Sequence, residues 1–401
     1  MADEQARGQV LARAATGYGT GLAKWIGLGT LALLAACQVV PKGRPGAVAP
    51  PPTANRPEPV GPSLPSDTER HRVALLVPLT GPNAGVGTSI SNAANLAVLD
   101  TGGKNIRITM YDTATGAAAA AQRAIAEGNR IILGPLLAED VRTVAPIARA
   151  SHVPLIAFSN DTGVAGNGTF VMGYAPAQSI SRVVDYAKSK GVTKFAGLVP
   201  VGLYGQRSST ALLRAVEASG GQVVSVQTFD RTAGSMKAAI TKMNAASPYQ
   251  AVLIADSGRA AVAAVPLIRA GAGRSAQVLG TELWNAEAGL AANPALKGAW
   301  FASVSDGLYN QLAAKYRSRF GRSPYRLASL GYDAVLLVTR IAGDWHVGAP
   351  FPQGALSDPG GFSGIDGAFR FNRDGIAERA LEVQQAGAGG FSVVSPAPHG
   401  F

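Results

Sequence analysis

Sulfur is nearly missing from this chain. Cys37 is the only cysteine among 401 residues, so no disulfide can close within the chain, and neither a thiolate zinc cage nor a Cys-His nucleophilic pair can be assembled. Histidine is almost as scarce: His71, His152, His346 and His399 are the whole set, no two close enough in sequence to share a helical turn. Each is expected at the surface or at a cap. No Gly-x-x-x-x-Gly-Lys-Ser/Thr loop is present to cradle phosphates, no Gly-x-Gly-x-x-Gly follows a strand, and neither Ser-x-x-Lys nor Gly-x-Ser-x-Gly offers a nucleophile. The expectation is a non-catalytic chain with no cofactor and no metal. Aromatic residues make up 6% of the sequence and do not interleave with basic ones, which leaves nucleic-acid binding without its stacking platform. A long apolar run is absent too. Trp25 to Leu34 falls well short of the roughly 20 residues that span a bilayer.

What surrounds that short run is informative. Arg7, Arg13 and Lys24 precede it, and Ala35 and Ala36 lead directly into Cys37. The segment resembles a bacterial lipoprotein signal. The resemblance implies removal of residues 1–36, acylation of Cys37 and attachment to a membrane through that lipid, each buried CH2 adding about 0.8 kcal/mol. Gln38, where an inner-membrane lipoprotein would carry Asp, points to the outer membrane on the periplasmic side. Residues 38–70 contain nine prolines and little that could form a core, and so read as a semi-rigid spacer reaching about 100 Å.

From His71 onward lie 331 residues, enough for two lobes. Short apolar runs alternate with Ala-rich stretches of helical length. VALLVPL (Val73 to Leu79), IRITMYD (Ile106 to Asp112), RIILGP (Arg130 to Pro135) and VPLIAF (Val153 to Phe158) form one set. KFAGLVP (Lys194 to Pro200), VVSVQTF (Val223 to Phe229), AVLIAD (Ala251 to Asp256) and QVLGTEL (Gln277 to Leu283) form a second. Runs that are apolar at nearly every position and alternate with helices predict parallel sheets covered on both faces. The fold class is therefore α/β, two doubly wound lobes around a cleft, with ligands expected at the carboxyl ends of the strands.

The segments VALLVPLTGPNAGVGTSISNAANLAV, ILGPLLAEDVRTVAPIARASHVPLIAFSND, GLYGQRSSTALLRAVEASGGQVV and SLGYDAVLLVTRIA resemble, in order and spacing, the type I periplasmic binding proteins of the leucine/isoleucine/valine group. The resemblance implies three crossings between lobes. The first lobe then takes in about 71–190 and 307–345, and the second about 191–306 and 346–401, including the strands GAFRF (Gly367 to Phe371) and LEVQQ (Leu381 to Gln385). It also implies a cleft bordered by Thr80, Leu137, Ala138, Ser159, Asn160, Asp161, Tyr204, Asp256, Glu282 and Trp284. In that family hydroxyls hold a ligand carboxylate and an acid holds its ammonium. Glu282 matches the acid, whereas Leu137 and Ala138 stand where a hydroxyl is expected, so no carboxylate anchor is evident. Asp161 and Glu282 are either ammonium ligands or helix caps and interlobe hydrogen-bond partners.

With the lipid signal and the spacer, the same segments and GTELWN are similar to the lipoprotein activators of penicillin-binding proteins. That subset implies a peptidoglycan synthase as partner. The alternative is an ABC permease, served by capture of amino acids or related small molecules. The net charge of +11 favours an anionic partner. Lys315, Arg317, Arg319, Arg322 and Arg326 form a basic run that is either a docking face for such a partner or a solvated helix face.

Overall fold

The computed structural model describes residues 69–400 apart from 231, 291 and 399. Cys37, the signal and nearly all of the spacer lie outside the described residues, as does His399. In the first lobe the chain runs β1 (His71–Val77), α1 (Ala84–Asp100), β2 (Ile106–Asp112), α2 (Ala117–Ala126), β3 (Ile131–Leu133), α3 (Ala138–Ala150), β4 (Leu155–Ala157) and β5 (Thr169–Val171). These strands form a parallel sheet in the order β2-β1-β3-β4-β5. Every residue from Val73 to Val77 is fully buried, as a central strand covered on both faces requires.

After residues 172–175 the chain enters the second lobe with α4 (Pro176–Ser189), β6 (Lys194–Pro200), α5 (Leu203–Ala218), β7 (Gln222–Phe229), α6 (Ala233–Asn244), β8 (Ala251–Ile254), α7 (Gly258–Arg269), β9 (Gln277–Gly280) and β10 (Trp300–Ser303). The parallel strands repeat the first lobe's order as β7-β6-β8-β9-β10. Each sheet reverses direction of winding beside its first strand, which is where α/β sheets open a crevice at their carboxyl ends. The first strand-to-helix turn is built alike in both. A Cβ on Gly87 would lie 1.9 Å from the Pro78 carbonyl oxygen, and one on Gly205 would lie 1.6 Å from that of Pro200. Only glycine lets α1 and α5 start so close under the strand that precedes them.

The chain then returns through residues 304–306 to α8 (Gly307–Phe320), α9 (Ala328–Ile341) and a small antiparallel sheet of β11 (Phe362–Gly364), β12 (Gly367–Phe371) and β13 (Ala377–Arg379). It crosses a third time at residues 380–381, and the hairpin of β14 (Glu382–Gly387), antiparallel to β10, and β15 (Gly390–Ser395), antiparallel to β14, extends the second sheet.

Two lobe assignments differ from those expected. Helix α4 packs on the second lobe, where Ile180, Val183, Val184 and Ala187 share a core with Phe195, Leu212 and Leu253, so the first crossing precedes the helix. The strand GAFRF belongs to the first lobe: Phe369 and Phe371 pack in one core with α1 and α9. A helix whose apolar stripe suits either sheet does not reveal from sequence which one it covers.

Beneath this small sheet lie two buried carboxylates. Asp333 on α9 accepts the Ile365 backbone N–H at 2.6 Å and that of Asp366 at 3.3 Å. Burial first, and then the charge of Asp366, push its pKa up to about 7. Asp366 would also be raised by burial, but the charges of Arg326 and Arg379 hold it below its ordinary value. A folded pKa above the unfolded one means the folded state keeps its proton longer, so the contribution of Asp333 to stability falls as pH rises through about 4 to 7. Asp366 acts with opposite sign and only at more acid pH. Asp333→Asn is accordingly expected to gain on the wild type by about 2–3 kcal/mol between about pH 5 and pH 8. Urea unfolding of both proteins at the two pH values checks this; a gap that stays constant would show that Asp333 titrates normally.

Candidate functional site

A cleft of about 370 Å³ opens between the lobes. Apolar side chains, among them Val86, Leu137, Phe158 and Leu283, form most of its wall, and Asn83, Asn160, Tyr174, Glu282 and Arg326 supply the polar groups. Behind it lies a cavity of about 20 Å³, with room for about one water molecule, bordered by one residue from each crossing: Ala175, Val304 and Leu381. Tyr174, Glu282 and Arg326 border both spaces. The polar wall of the cleft is thus also the wall of the hinge.

Glu282 follows β9 by one residue beyond Thr281, so its position derives from the strand end. The Tyr204 hydroxyl donates to its Oε1 at 2.9 Å and Ser179 Oγ to its Oε2 at 2.5 Å. Both donors come from the second lobe, one from α5 and one from α4. Burial pushes the Glu282 pKa up against these hydrogen bonds, and Tyr204 is raised well above its ordinary value by burial and by the charge of Glu282.

Arg326 sits two residues before α9, with its side chain 6% exposed. Its Nη1 donates to Asp366 Oδ1 at 2.7 Å and to Ser329 Oγ at 3.0 Å. Its Nε lies 3.5 Å from Asp306 Oδ1, and its guanidinium stacks 4.0 Å above the Tyr309 ring. Tyr174 OH donates to the other oxygen of Asp366. Arg379, also buried, donates from Nη2 to the Met172 carbonyl at 2.7 Å and lies 5.0 Å over the Tyr174 ring. Four nitrogens remain buried without a hydrogen-bond partner: Nε and Nη2 of Arg326, and Nε and Nη1 of Arg379. Across the hinge, Gln178 of α4 braces β13 by donating to the Ala377 carbonyl at 2.6 Å and accepting from the Arg379 backbone N–H at 3.0 Å.

Of the cleft residues expected from sequence, Leu137, Asn160 and Glu282 line the cleft. The other seven do not. Thr80 donates to Asp112 Oδ2 at 2.6 Å, Ala138 opens α3, and Ser159 is buried with its Oγ accepting the Asp161 backbone N–H at 3.1 Å. Tyr204 reaches the site through Glu282. Asp256 is buried, with Oδ1 bound by the Ser257 N–H at 2.6 Å. Trp284 is 1% exposed and packs inside the second lobe against Phe301, so it has no face to offer a ligand. Asp161 is 3% exposed and is ion-paired with Arg142 of its own lobe and Arg207 of the other, while its Oδ1 accepts the Gly163 N–H at 2.9 Å. Its carboxylate is engaged as a cap and an interlobe bridge.

The basic run is not one surface. Lys315 pairs with Asp100, and Arg317, Arg319 and Arg322 are exposed, whereas Arg326 is buried in the hinge cluster. This corrects its expected place on a docking face: an arginine two residues ahead of a helix whose first eight residues are all buried is carried inward with it. Tyr174 and Asn83 were not anticipated. The one available signal was the mainly apolar stretch LASLGYDAVLLV directly after Arg326, which marks a buried helix start.

The model of the periplasmic binding protein family matches residues 71–390. A putative branched-chain amino acid ABC transporter protein of Rhodospirillum rubrum superposes with a TM-score of 0.69 at 21% identity, covering 81% of this chain and 100% of that one. A leucine binding protein of Thermotoga maritima does so with 0.61 at 20%, covering 82% and 98%. A solute binding protein of R. palustris, solved with benzoate, gives 0.62 at 18%, covering 82% and 97%. Identities this low establish the shared fold alone. An uncharacterized protein of Rickettsia prowazekii is 30% identical over 142 residues, a match that covers 35% of this chain and 38% of that relative's length.

Proposed function

Since this chain belongs to the periplasmic binding protein family, we propose that its interlobe cleft captures a small molecule outside the cytoplasm, as the binding component of an uptake system. The observation that carries this reading is the cleft itself: about 370 Å³, mostly apolar, with a few polar groups converging at the strand ends of both sheets. Its volume falls in the range of small-molecule sites, and its lining is of the kind that buries an apolar body and orients a polar head. Thermal unfolding of the purified protein against a metabolite library tests it. A captured ligand at 100 times its dissociation constant adds about 2.7 kcal/mol. A library that shifts nothing overturns capture.

One observation favours a second reading. Arg207 of the second lobe and Arg142 of the first hold the same buried Asp161, which ties the lobes together without any ligand. A domain closed by its own side chains suits a docking module, here a lipoprotein anchored through Cys37 that regulates a penicillin-binding protein. Crosslinking in intact cells followed by affinity purification separates the two: recovery of a cell-wall synthase supports docking, and recovery of a permease alone supports capture.

A further inference from the structure

The hydrogen-bond inventory of the cleft and the cavity behind it is lopsided. Glu282 has both oxygens engaged by hydroxyls of its own lobe, Tyr204 on one side and Ser179 on the other. Asp366 accepts from Arg326 and Tyr174, and Asp306 accepts from Asn285 at 3.1 Å. The carboxylates are therefore supplied with donors from within the chain. The buried side-chain atoms left without a hydrogen-bond partner here are mainly donors: Nη2 of Arg326, with Nε and Nη1 of Arg379, beside Nε of Arg326, which has only Asp306 at 3.5 Å; the one such buried acceptor bordering these spaces is Asn285 Oδ1. A ligand ammonium would meet carboxylates already engaged by the chain's own donors and would lie beside two buried guanidinium groups. A carboxylate brings two oxygens, about four lone pairs, in the geometry that a guanidinium edge matches.

Position agrees with this inventory. The Arg326 side chain is only 6% exposed, yet it borders the cleft as well as the hinge cavity, beside the apolar surface of Leu327 and Leu283. Asp366, Ser329 and Tyr309 fix its orientation, so the cost of ordering the group is met in the folded protein before any ligand arrives. The residue thereby supplies the anchor that is missing where family hydroxyls would stand, at Leu137 and Ala138.

We propose that the occupant of the cleft is an apolar monocarboxylate lacking an ammonium group, and that Arg326, with Arg379 behind it, is the anchor for its carboxylate. The inference rests on the capture reading above and narrows it to a ligand class.

The experiment is a calorimetric titration of the full chain with matched probes that share one skeleton: 4-methylpentanoate, its amide, the corresponding amine, and L-leucine. The set is repeated with 3-phenylpropanoate, its amide, its amine and L-phenylalanine. The carboxylates are expected to bind at least about tenfold more tightly than the amides, and the amines least. Arg326→Gln leaves Asp366 without its partner and is expected to unfold readily, so the working variant is the double substitution Arg326→Gln with Asp366→Asn, which keeps a neutral hydrogen-bonded pair. In that variant carboxylate binding is expected to fall at least about tenfold while its circular dichroism matches wild type. Arg326→Lys, with Asp366 kept, is expected to retain part of the affinity, since it keeps the charge but not the planar edge. Tighter binding of leucine, phenylalanine, an amide or an amine would overturn the ligand class and leave capture standing. Carboxylate binding unchanged in the double variant would overturn Arg326 as the anchor. Failure of every probe overturns the inference, and the broad library then decides whether capture falls with it.

Discussion

Asp366→Asn is expected to cost about 3–5 kcal/mol of unfolding free energy. The side chain is fully buried, and its oxygens accept from Arg326 and Tyr174. Two buried guanidinium groups, Arg326 and Arg379, balance their charge against it. Neutralising Asp366 leaves those cations in a medium that solvates them poorly, and the loss measures the uncompensated charge rather than the worth of the pair. Removing both members should therefore cost much less than the two single substitutions combined. Urea unfolding at neutral pH of both singles and the double supplies the cycle. Additive costs would show that Asp366 and Arg326 do not depend on one another.

Trp284→Ala is expected to lose a similar amount, about 3–5 kcal/mol, for a different reason. The indole is 1% exposed, its Nε1 donates to the Asp256 carbonyl at 2.9 Å, and its ring lies so close over β9 that a Cβ on Gly280 would approach it to 2.4 Å. Truncation opens a cavity in the second lobe and strands a buried carbonyl. Because the ring does not border the cleft, the dissociation constant of a captured ligand is expected to be unchanged once measured on folded protein. A loss of affinity larger than the loss of stability explains would return Trp284 to the binding surface.

These two residues illustrate what the sequence conveys and what it withholds. Apolar runs such as Val73 to Leu79 and Lys194 to Pro200 announced buried parallel strands because burial on both faces leaves no room for polar alternation. Both sheets follow from that pattern. The strand at Trp300–Ser303 and two strands of the small sheet, Phe362–Gly364 and Ala377–Arg379, were not anticipated, since three or four residues carry too little periodicity to stand apart from a loop. The site was legible where the family resemblance aligns a strand end, as at Glu282. It was not legible where a long side chain chooses its own direction. Arg326 reads as one more surface cation among Lys315, Arg317, Arg319 and Arg322, and only tertiary packing turns it inward toward an aspartate 40 residues later.

The three crossings also impose an order in time. The first sheet is complete by Val171, but the helix α9 and the small sheet that cover one of its faces are supplied by residues 328–379, after nearly all of the second lobe has been made. The second sheet in turn waits for β14, which adds the strand beyond β10 only at residues 382–387. Neither half can finish its core while residues 328–387 are still emerging from the ribosome. Such long-range closure slows folding relative to a chain built from local contacts. A polypeptide built this way completes neither lobe until residues 328–387 are available to both.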